Sequence, residues 1–327
     1  MIFKNPFRFL SDHINPLKWF LLLLVGAFSA LVIFYLVNNS LPRNDIPAII
    51  EQKLVKKFKY NKPLQILAVT PQYADICRLI GGKYVQVDAI IKNSTANPHN
   101  FILDNQDIQR FQNTDIFILN GLAYDKQIEQ AVRSSRQEAH IIIVGALNTT
   151  TSSNPHIWFA TQTYPKLALK ICEELQALLP ENSDVFAQNY QNFLKTHRVI
   201  DTKVAAIKKK YPRKSAFANE PILNLLLQEM NIDLFDETVQ KVCSHGHEPS
   251  GAAYITLMKK LKLQRPNFFI LNSQANNVLS KIIMQVAAKH KVPVIYIEEI
   301  LPANLTAIAW LEQTIDAIDR ALQTMQQ

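Results

Sequence analysis

Two histidines that each directly follow a proline are the residues of this chain best suited to bind a metal ion. His99 lies within Asn97–Phe101, and His156 lies within Asn154–Trp158. Proline fixes its own φ and drives the preceding residue into an extended conformation, so both histidines lie on rigid, non-helical segments. A metal ligand needs such support, because a loosely held site loses affinity. The two segments predict a pair of imidazole ligands; the alternative is a pair of loop histidines with structural hydrogen bonds.

The composition argues against several common classes of protein. Only seven of the 327 residues are glycine, and the chain has neither the glycine-rich loops that bind nucleotide phosphates nor the motifs of serine hydrolases and helical zinc proteases. The formal net charge is +8, but residues 1–63 hold nine Lys/Arg against three Asp/Glu. The rest of the chain is nearly balanced, so we expect no nucleic-acid partner.

The stretch Trp19–Val37 has no charged residue and is about long enough to cross a bilayer as a helix. Lys4, Arg8 and Lys18 precede it, which favours a cytoplasmic N-terminus. No cysteine for lipoprotein processing and no clean cleavage site follow it. We therefore predict a transmembrane signal anchor that holds the rest of the chain outside the cytoplasm. A cleaved signal peptide, which would release the rest as a soluble protein, is the alternative.

Apolar strand patterns alternate with helical patterns in both halves of the remaining chain. The predicted strands are Leu64–Thr70, Tyr84–Ile91, Asp115–Asn120 and Ile141–Val144, then Ser215–Ala218, Phe268–Leu271 and Val292–Ile297. Such alternation favours a parallel sheet flanked by helices in each half.

A long helix is predicted between the two halves. Asn182 or Ser183 can cap it, apolar residues recur without Gly or Pro, and Pro212 ends it. The predicted fold is α/β, with two lobes that each have a parallel sheet flanked by helices and one long backbone helix between them. The predicted domains are a signal anchor at 1–40, a basic tether at 41–63, a first lobe at 64–181, a linker helix at 182–212 and a second lobe at 213–327.

Ligand-binding residues of open α/β sheets lie in the loops after the carboxyl ends of the strands. In the first half these loops carry His99 and His156, and in the second half they carry Glu220, Glu298 and Glu299. Two imidazoles and two carboxylates suit Zn²⁺, and Mn²⁺ and Fe²⁺ tolerate such a mixture. We expect the ion in the cleft between the lobes, with Glu298 preferred to Glu299.

These motifs, in this order, resemble the periplasmic receptors of ABC importers for zinc and manganese, the group with a rigid helical backbone between its lobes. The segments Asn97–Phe101 and Asn154–Trp158 are similar to the two Asp-Pro-His ligand loops of that family. Asn219 and Glu220 are similar to the branch that has glutamate as its third ligand, and Glu298 stands where the family places its last carboxylate. The resemblance covers about residues 64–325.

The resemblance implies an extracytoplasmic receptor and not an enzyme. It implies that His99, His156, Glu220 and Glu298 capture Zn²⁺, with Mn²⁺ or Fe²⁺ as alternatives, and that the ion passes to the permease subunit of an ABC importer. With the apolar N-terminal stretch, the resemblance implies a monomer that its N-terminal helix holds on the periplasmic side of the inner membrane, or a soluble periplasmic protein if that stretch is cleaved.

The chain departs from the family pattern at several positions around these motifs. Asn97 and Asn154 stand where the family has aspartate, Ala160 and Thr161 replace an Asp-Pro pair, and Asn272 replaces a frequent acidic residue. Loss of a carboxylate that orients a histidine ligand typically weakens metal binding ten- to a hundredfold. One alternative function is therefore an anchored, metal-free interaction module of the same fold.

A metal-dependent hydrolase is a further alternative. Glu220 or Glu299 would be its base, and the metal would need an open coordination position for water. His245 and His247 allow either a weak accessory metal site or an ordinary exposed loop.

Overall fold

A computed structural model describes residues 62–92, 101–135, 139–148, 153–235, 237–244, 247, 249–263, 265–275 and 277–325. All of the described residues belong to one compact unit, Lys62–Gln327. The predicted membrane span and most of the predicted tether therefore lie outside the described residues. Within the described ranges, none of the helices is both long and apolar enough to cross a membrane.

The first half of this unit contains a four-stranded parallel sheet in the order β2-β1-β3-β4. All four residues of its third strand are buried, as expected for a parallel strand that is covered on both faces. The strands are β1 (Leu64–Ala68), β2 (Val85–Ala89), β3 (Ile116–Leu119) and β4 (His140–Ile143), and the helices are α1 (Pro71–Gly81), α2 (Asn105–Gln112), α3 (Lys126–Ser135), α4 (Val144–Leu147) and α5 (Thr163–Leu178).

One long helix, α6 (Ser183–Lys210), follows the first half. Its 28 residues span about 42 Å, and it ends just before the fixed φ of Pro212. The side chains of Phe193, His197 and Ile200 are buried along it. A helix of this length can run alongside both sheets.

The second half contains another four-stranded parallel sheet, in the order β6-β5-β7-β8. Its strands are β5 (Lys214–Ala218), β6 (Ile232–Leu234), β7 (Phe268–Asn272) and β8 (Val294–Ile297), and its helices are α7 (Asn224–Glu229), α8 (Glu237–Ser244), α9 (Gly251–Leu263), α10 (Val278–His290) and α11 (Ala307–Thr324). Helix α11 lies against α6, where Lys203 forms ion pairs with Glu312 and Asp316.

The helices of the second half divide between the two faces of its sheet. Crossover connections between parallel strands are right-handed. The chain moves across the sheet in one direction from β5 to β6 and in the other direction from β6 to β7 and β8, so the helices of these connections lie on opposite faces. Side chains of α8, α9 and α10 accordingly share one apolar core with strands β5 and β7. We call the side covered by these three helices the outer face of the second lobe.

The prediction of two parallel sheets flanked by helices is confirmed. The strand β6 and the helix α8 were not predicted from the sequence. A strand of three residues is too short to show periodicity.

Candidate metal site between the lobes

His156 is held at the inner side of the first lobe by its own loop. It precedes a short 3₁₀ turn at Ile157–Phe159, and its side chain is only 2% exposed. Its Nδ1 lies 2.9 Å from Asn154 Oδ1, which also accepts the backbone N–H of His156 at 3.0 Å. Because an amide oxygen only accepts hydrogen bonds, Nδ1 is the donor in this contact, and Nε2 is the ring nitrogen that faces the second lobe. The amide of Asn154 thus orients the imidazole as a carboxylate would.

Glu299 brings a carboxylate of the second lobe to this imidazole. Its Oε1 lies 3.5 Å from His156 Nε2, and its side chain is 1% exposed. The backbone N–H of Glu299 donates to Gln274 Oε1 at 2.7 Å, which fixes the chain just after β8. Burial, the charge of Glu299 and a hydrogen bond to Glu299 all raise the pKa of Tyr124 in the first lobe. An imidazole, a carboxylate and a phenol therefore meet between the lobes.

Glu220 supplies a second buried carboxylate just after β5. Its Oε2 accepts a hydrogen bond of 2.8 Å from Asn272 Nδ2, and the same nitrogen lies 3.5 Å from Glu299 Oε2. Burial and the nearby Glu299 raise the pKa of Glu220 to about 7, while Asn272 and His156 act in the opposite direction. Two buried carboxylates that approach the same amide nitrogen are stabilised by a proton or by a cation between them. This is the electrostatic character of a cation site.

The structure separates the two adjacent glutamates between which the sequence left a choice. Glu298 is half-buried and lines a surface groove with Ser273, Trp310 and Arg320. Glu299 points into the cleft, where its carboxylate lies beside His156. Glu299 therefore takes the place of Glu298 in the functional proposal below.

Two contacts between the lobes involve the His156 loop and the residues that follow it. Asn154 Nδ2 donates to the carbonyl of Pro221, the residue after Glu220, at 2.7 Å. The backbone N–H of Thr161 donates to both carboxylate oxygens of Glu229 at 3.2 Å each. The first contact joins the His156 loop directly to the Glu220 segment, so the two candidate ligands are positioned together.

Sequence reasoning missed the part played by Gln72 in this cleft. From the start of α1, Gln72 donates to the carbonyl of Glu299 at 3.4 Å and accepts from the N–H of Leu301 at 3.3 Å. The signal in the sequence was a glutamine on the apolar face of α1. Gln72 is fully buried there, and a buried amide requires hydrogen-bond partners. Its partners are more than 200 residues away, so they could not be read from the local pattern.

Of the other three candidate histidines, the structure describes His247. His99 and His245 lie outside the described residues, whereas His247 is exposed and its N–H donates to the carbonyl of Val242 at 3.2 Å. In the described part of the chain, no group of three or more His, Cys, Asp and Glu side chains is arranged as a metal-binding set. In the described residues, His156 therefore approaches Glu299, with Glu220 nearby, but the three side chains do not form such a set.

The sequence matches the family model "Zinc-uptake complex component A periplasmic" over residues 66–321. A crystal structure of ZnuA has a similar fold, with a TM-score of 0.67 and 18% identity, and the match covers 81% of this chain and 99% of that one. A manganese-bound serine-to-alanine variant of a periplasmic metal binding protein from candidatus liberibacter asiaticus has a TM-score of 0.67 and 19% identity, with 79% and 99% covered. At these identities the structural likeness shows the fold.

Two further proteins are similar to this chain. The cadmium-bound periplasmic metal binding protein from candidatus liberibacter asiaticus has a TM-score of 0.66 and 18% identity, with 80% of this chain and 99% of that chain covered. A candidate metal-binding protein of Chlamydia muridarum (strain MoPn / Nigg) is 22% identical over 148 residues, which are 44% of this chain and 53% of that protein. The chain thus spans about half the length of that curated relative.

Proposed function

Because the chain belongs to the family of periplasmic zinc-uptake complex component A proteins, we propose that it captures a divalent transition-metal ion between its two lobes and delivers it to an ABC permease. Zinc is the first candidate, and manganese and iron follow. The unit works outside the cytoplasm, on the periplasmic side of the inner membrane, where the predicted N-terminal helix anchors it.

The single observation that carries this proposal is the approach of His156 Nε2 to Glu299 Oε1, 3.5 Å apart and almost fully buried. Glu220 stands beside them through the shared contact with Asn272. One imidazole nitrogen and two carboxylates form a donor set that Zn²⁺ and Mn²⁺ both accept. We propose His156, Glu220 and Glu299 as ligands, with His99 completing the set from its own loop.

The proposed mechanism is capture and release without bond chemistry. The imidazole and the carboxylates come from different lobes, so an ion between them draws the lobes together, and docking on the permease separates the ligands again. The hydrogen bond from His156 Nδ1 to Asn154 keeps Nε2 available at every stage. A site filled by protein ligands suits binding and transfer, whereas catalytic zinc keeps one position free for water.

Metal content measured by elemental mass spectrometry on residues 62–327 tests this function. This unit is compact by itself, and the match to this chain accounts for 99% of the solved ZnuA chain. After incubation with equal Zn²⁺, Mn²⁺ and Fe²⁺ and desalting, we expect one equivalent of a single metal. His156→Ala should abolish retention, and the matched control His290→Ala, on the second lobe away from the cleft, should leave it unchanged.

Absence of retained metal in the wild-type unit would contradict the proposal. It would favour the alternative of an anchored interaction module, in which Asn97, Asn154 and Asn272 have replaced acidic residues that metal binding requires.

A further inference from the structure

The outer face of the second lobe carries an excess of positive charge that the rest of the unit lacks. Between Pro249 and Ile297 the sequence has six lysines, one arginine and no Asp or Glu. By contrast, residues 62–248 hold 19 Lys/Arg against 19 Asp/Glu, and residues 298–327 hold one against five. Segment 249–297 includes α9 and α10, which cover this face, so the charge is concentrated on one side of the molecule.

Helix α9 also exposes large apolar side chains among these lysines. Ile255 is 68% exposed and Leu263 is 69% exposed. Both share one side of the helix with Lys259 and Lys262, because residues three, four and eight apart are neighbours on a helix surface. The opposite side of α9 is anchored in the core through Leu257 and Leu261. Helix α9 therefore presents apolar and cationic groups together on a firmly packed support.

Helix α10 extends this surface. It shares the apolar core of the outer face with α9, and its Met284 is 48% exposed beside the exposed Lys281. The C-terminal ends of the two helices also lie close together. Partial desolvation, then the charges of Arg265 and Lys289, lower the pKa of His290. A positive charge just after α9 and one near the end of α10 thus act on the same side chain.

We propose that this outer face docks on the surface of an anionic lipid bilayer. Apolar side chains enter the headgroup region while flanking lysines meet lipid phosphates, which is how basic amphipathic helices lie on membranes. The residue types favour lipid over an acidic protein. Protein interfaces are enriched in arginine and depleted in lysine, whereas lysine is a flexible point charge that suits fluid headgroups. Six of the seven cations here are lysine.

Sedimentation with lipid vesicles tests this proposal on residues 62–327, which lack the predicted membrane span. Vesicles of phosphatidylcholine are compared with vesicles that contain one-third phosphatidylglycerol, in low salt and in high salt. We expect binding only to the anionic vesicles and its loss in high salt, because ions screen the attraction. Each lysine near an anionic surface contributes about a fivefold factor, so Lys259→Gln/Lys262→Gln should weaken binding roughly twenty-five-fold.

Two further variants complete the design. Ile255→Ser/Leu263→Ser should also weaken binding, since it removes the apolar contacts and keeps every charge. Lys208→Gln/Lys209→Gln is the matched control, because it removes two exposed lysines from α6 and should leave binding unchanged. His156→Ala should bind vesicles normally, which separates this proposal from metal capture.

Three outcomes would overturn the proposal. They are absence of binding to anionic vesicles, as expected if an acidic protein is the partner; equal binding to both kinds of vesicle; and equal losses in the α9 and α6 lysine variants, which would indicate a general effect of net charge.

Discussion

The two lobes have the same architecture and different chemistry. In each, four parallel strands are arranged so that the first strand lies between the second and the third, with the fourth at the edge. The first lobe contributes an imidazole and a phenol to the cleft, through His156 and Tyr124, whereas the second contributes the carboxylates of Glu220 and Glu299.

This difference shows where the function is determined. The strands and the core make the same framework twice, and the loops at the carboxyl ends of the strands supply the reactive groups. Because nitrogen and oxygen ligands come from separate lobes, neither lobe holds the proposed set alone. A change within a loop on one side should therefore alter binding without altering the fold of the other side.

We expect the largest loss of metal affinity from a substitution in the second lobe, Glu299→Gln, and we compare it with Glu298→Gln. Glu299→Gln removes the carboxylate charge beside His156, so we expect metal affinity to fall about a thousandfold, or ~4 kcal/mol. Glu298→Gln changes the neighbouring residue on the surface groove and should leave affinity unchanged. Competition with a chromophoric chelator measures both. A larger loss of metal affinity in Glu298→Gln would contradict this and would support Glu298 as the ligand, as the sequence predicted.

The electrostatic role of the second lobe can be measured without metal. The pKa of Glu220 is raised to about 7 in the folded protein, from an ordinary value of 4.5. Between pH 4.5 and about 7 the folded state therefore holds a proton that the unfolded state has lost. The free energy of unfolding falls as pH rises through this range and levels off above pH 7. This difference corresponds to ~3 kcal/mol. We expect thermal unfolding between pH 5 and 8 to show this decline in stability in the wild type. The decline should be much smaller in Glu220→Gln, and saturating zinc should counteract it in the wild type.

Other buried carboxyls, such as Asp75 and Asp125, also have raised pKa values and therefore also lower the stability of the protein as pH rises. The informative quantity is thus the difference between the wild type and Glu220→Gln. Identical pH dependence in the two proteins would contradict the raised pKa of Glu220 in the folded state.

We expect a smaller loss of metal affinity from a substitution in the first lobe, at Asn154. Asn154→Ala removes both the acceptor for His156 Nδ1 and the donor to Pro221, and metal affinity should fall ten- to a hundredfold. Asn154→Asp keeps the acceptor and loses the donor. If orientation of the imidazole dominates, the aspartate variant should retain most of the affinity in calorimetric titration.

Asn148→Ala, a change of the same kind elsewhere in the first lobe, is the control for Asn154→Ala. Equal losses in Asn154→Ala and Asn154→Asp would instead show that the contact between the lobes is what matters.

The framework of this protein could be predicted from local sequence. Alternating strands and helices gave two α/β halves, because a parallel sheet covered by helices requires that order of elements. The uninterrupted apolar pattern before Pro212 gave the long helix, because Gly and Pro are the residues that end helices. The Pro-His segment at Asn154–Trp158 marked His156, because proline restricts the chain on both sides of it.

The tertiary structure alone decided which groups meet. The sequence placed Glu298 and Glu299 side by side, and only the direction of the chain after β8 turned Glu299 toward His156. Gln72 joined the cleft through partners more than 200 residues away. Periodicity records which side of an element is buried, but a contact between distant loops depends on how two finished lobes pack, and no local pattern carries that information.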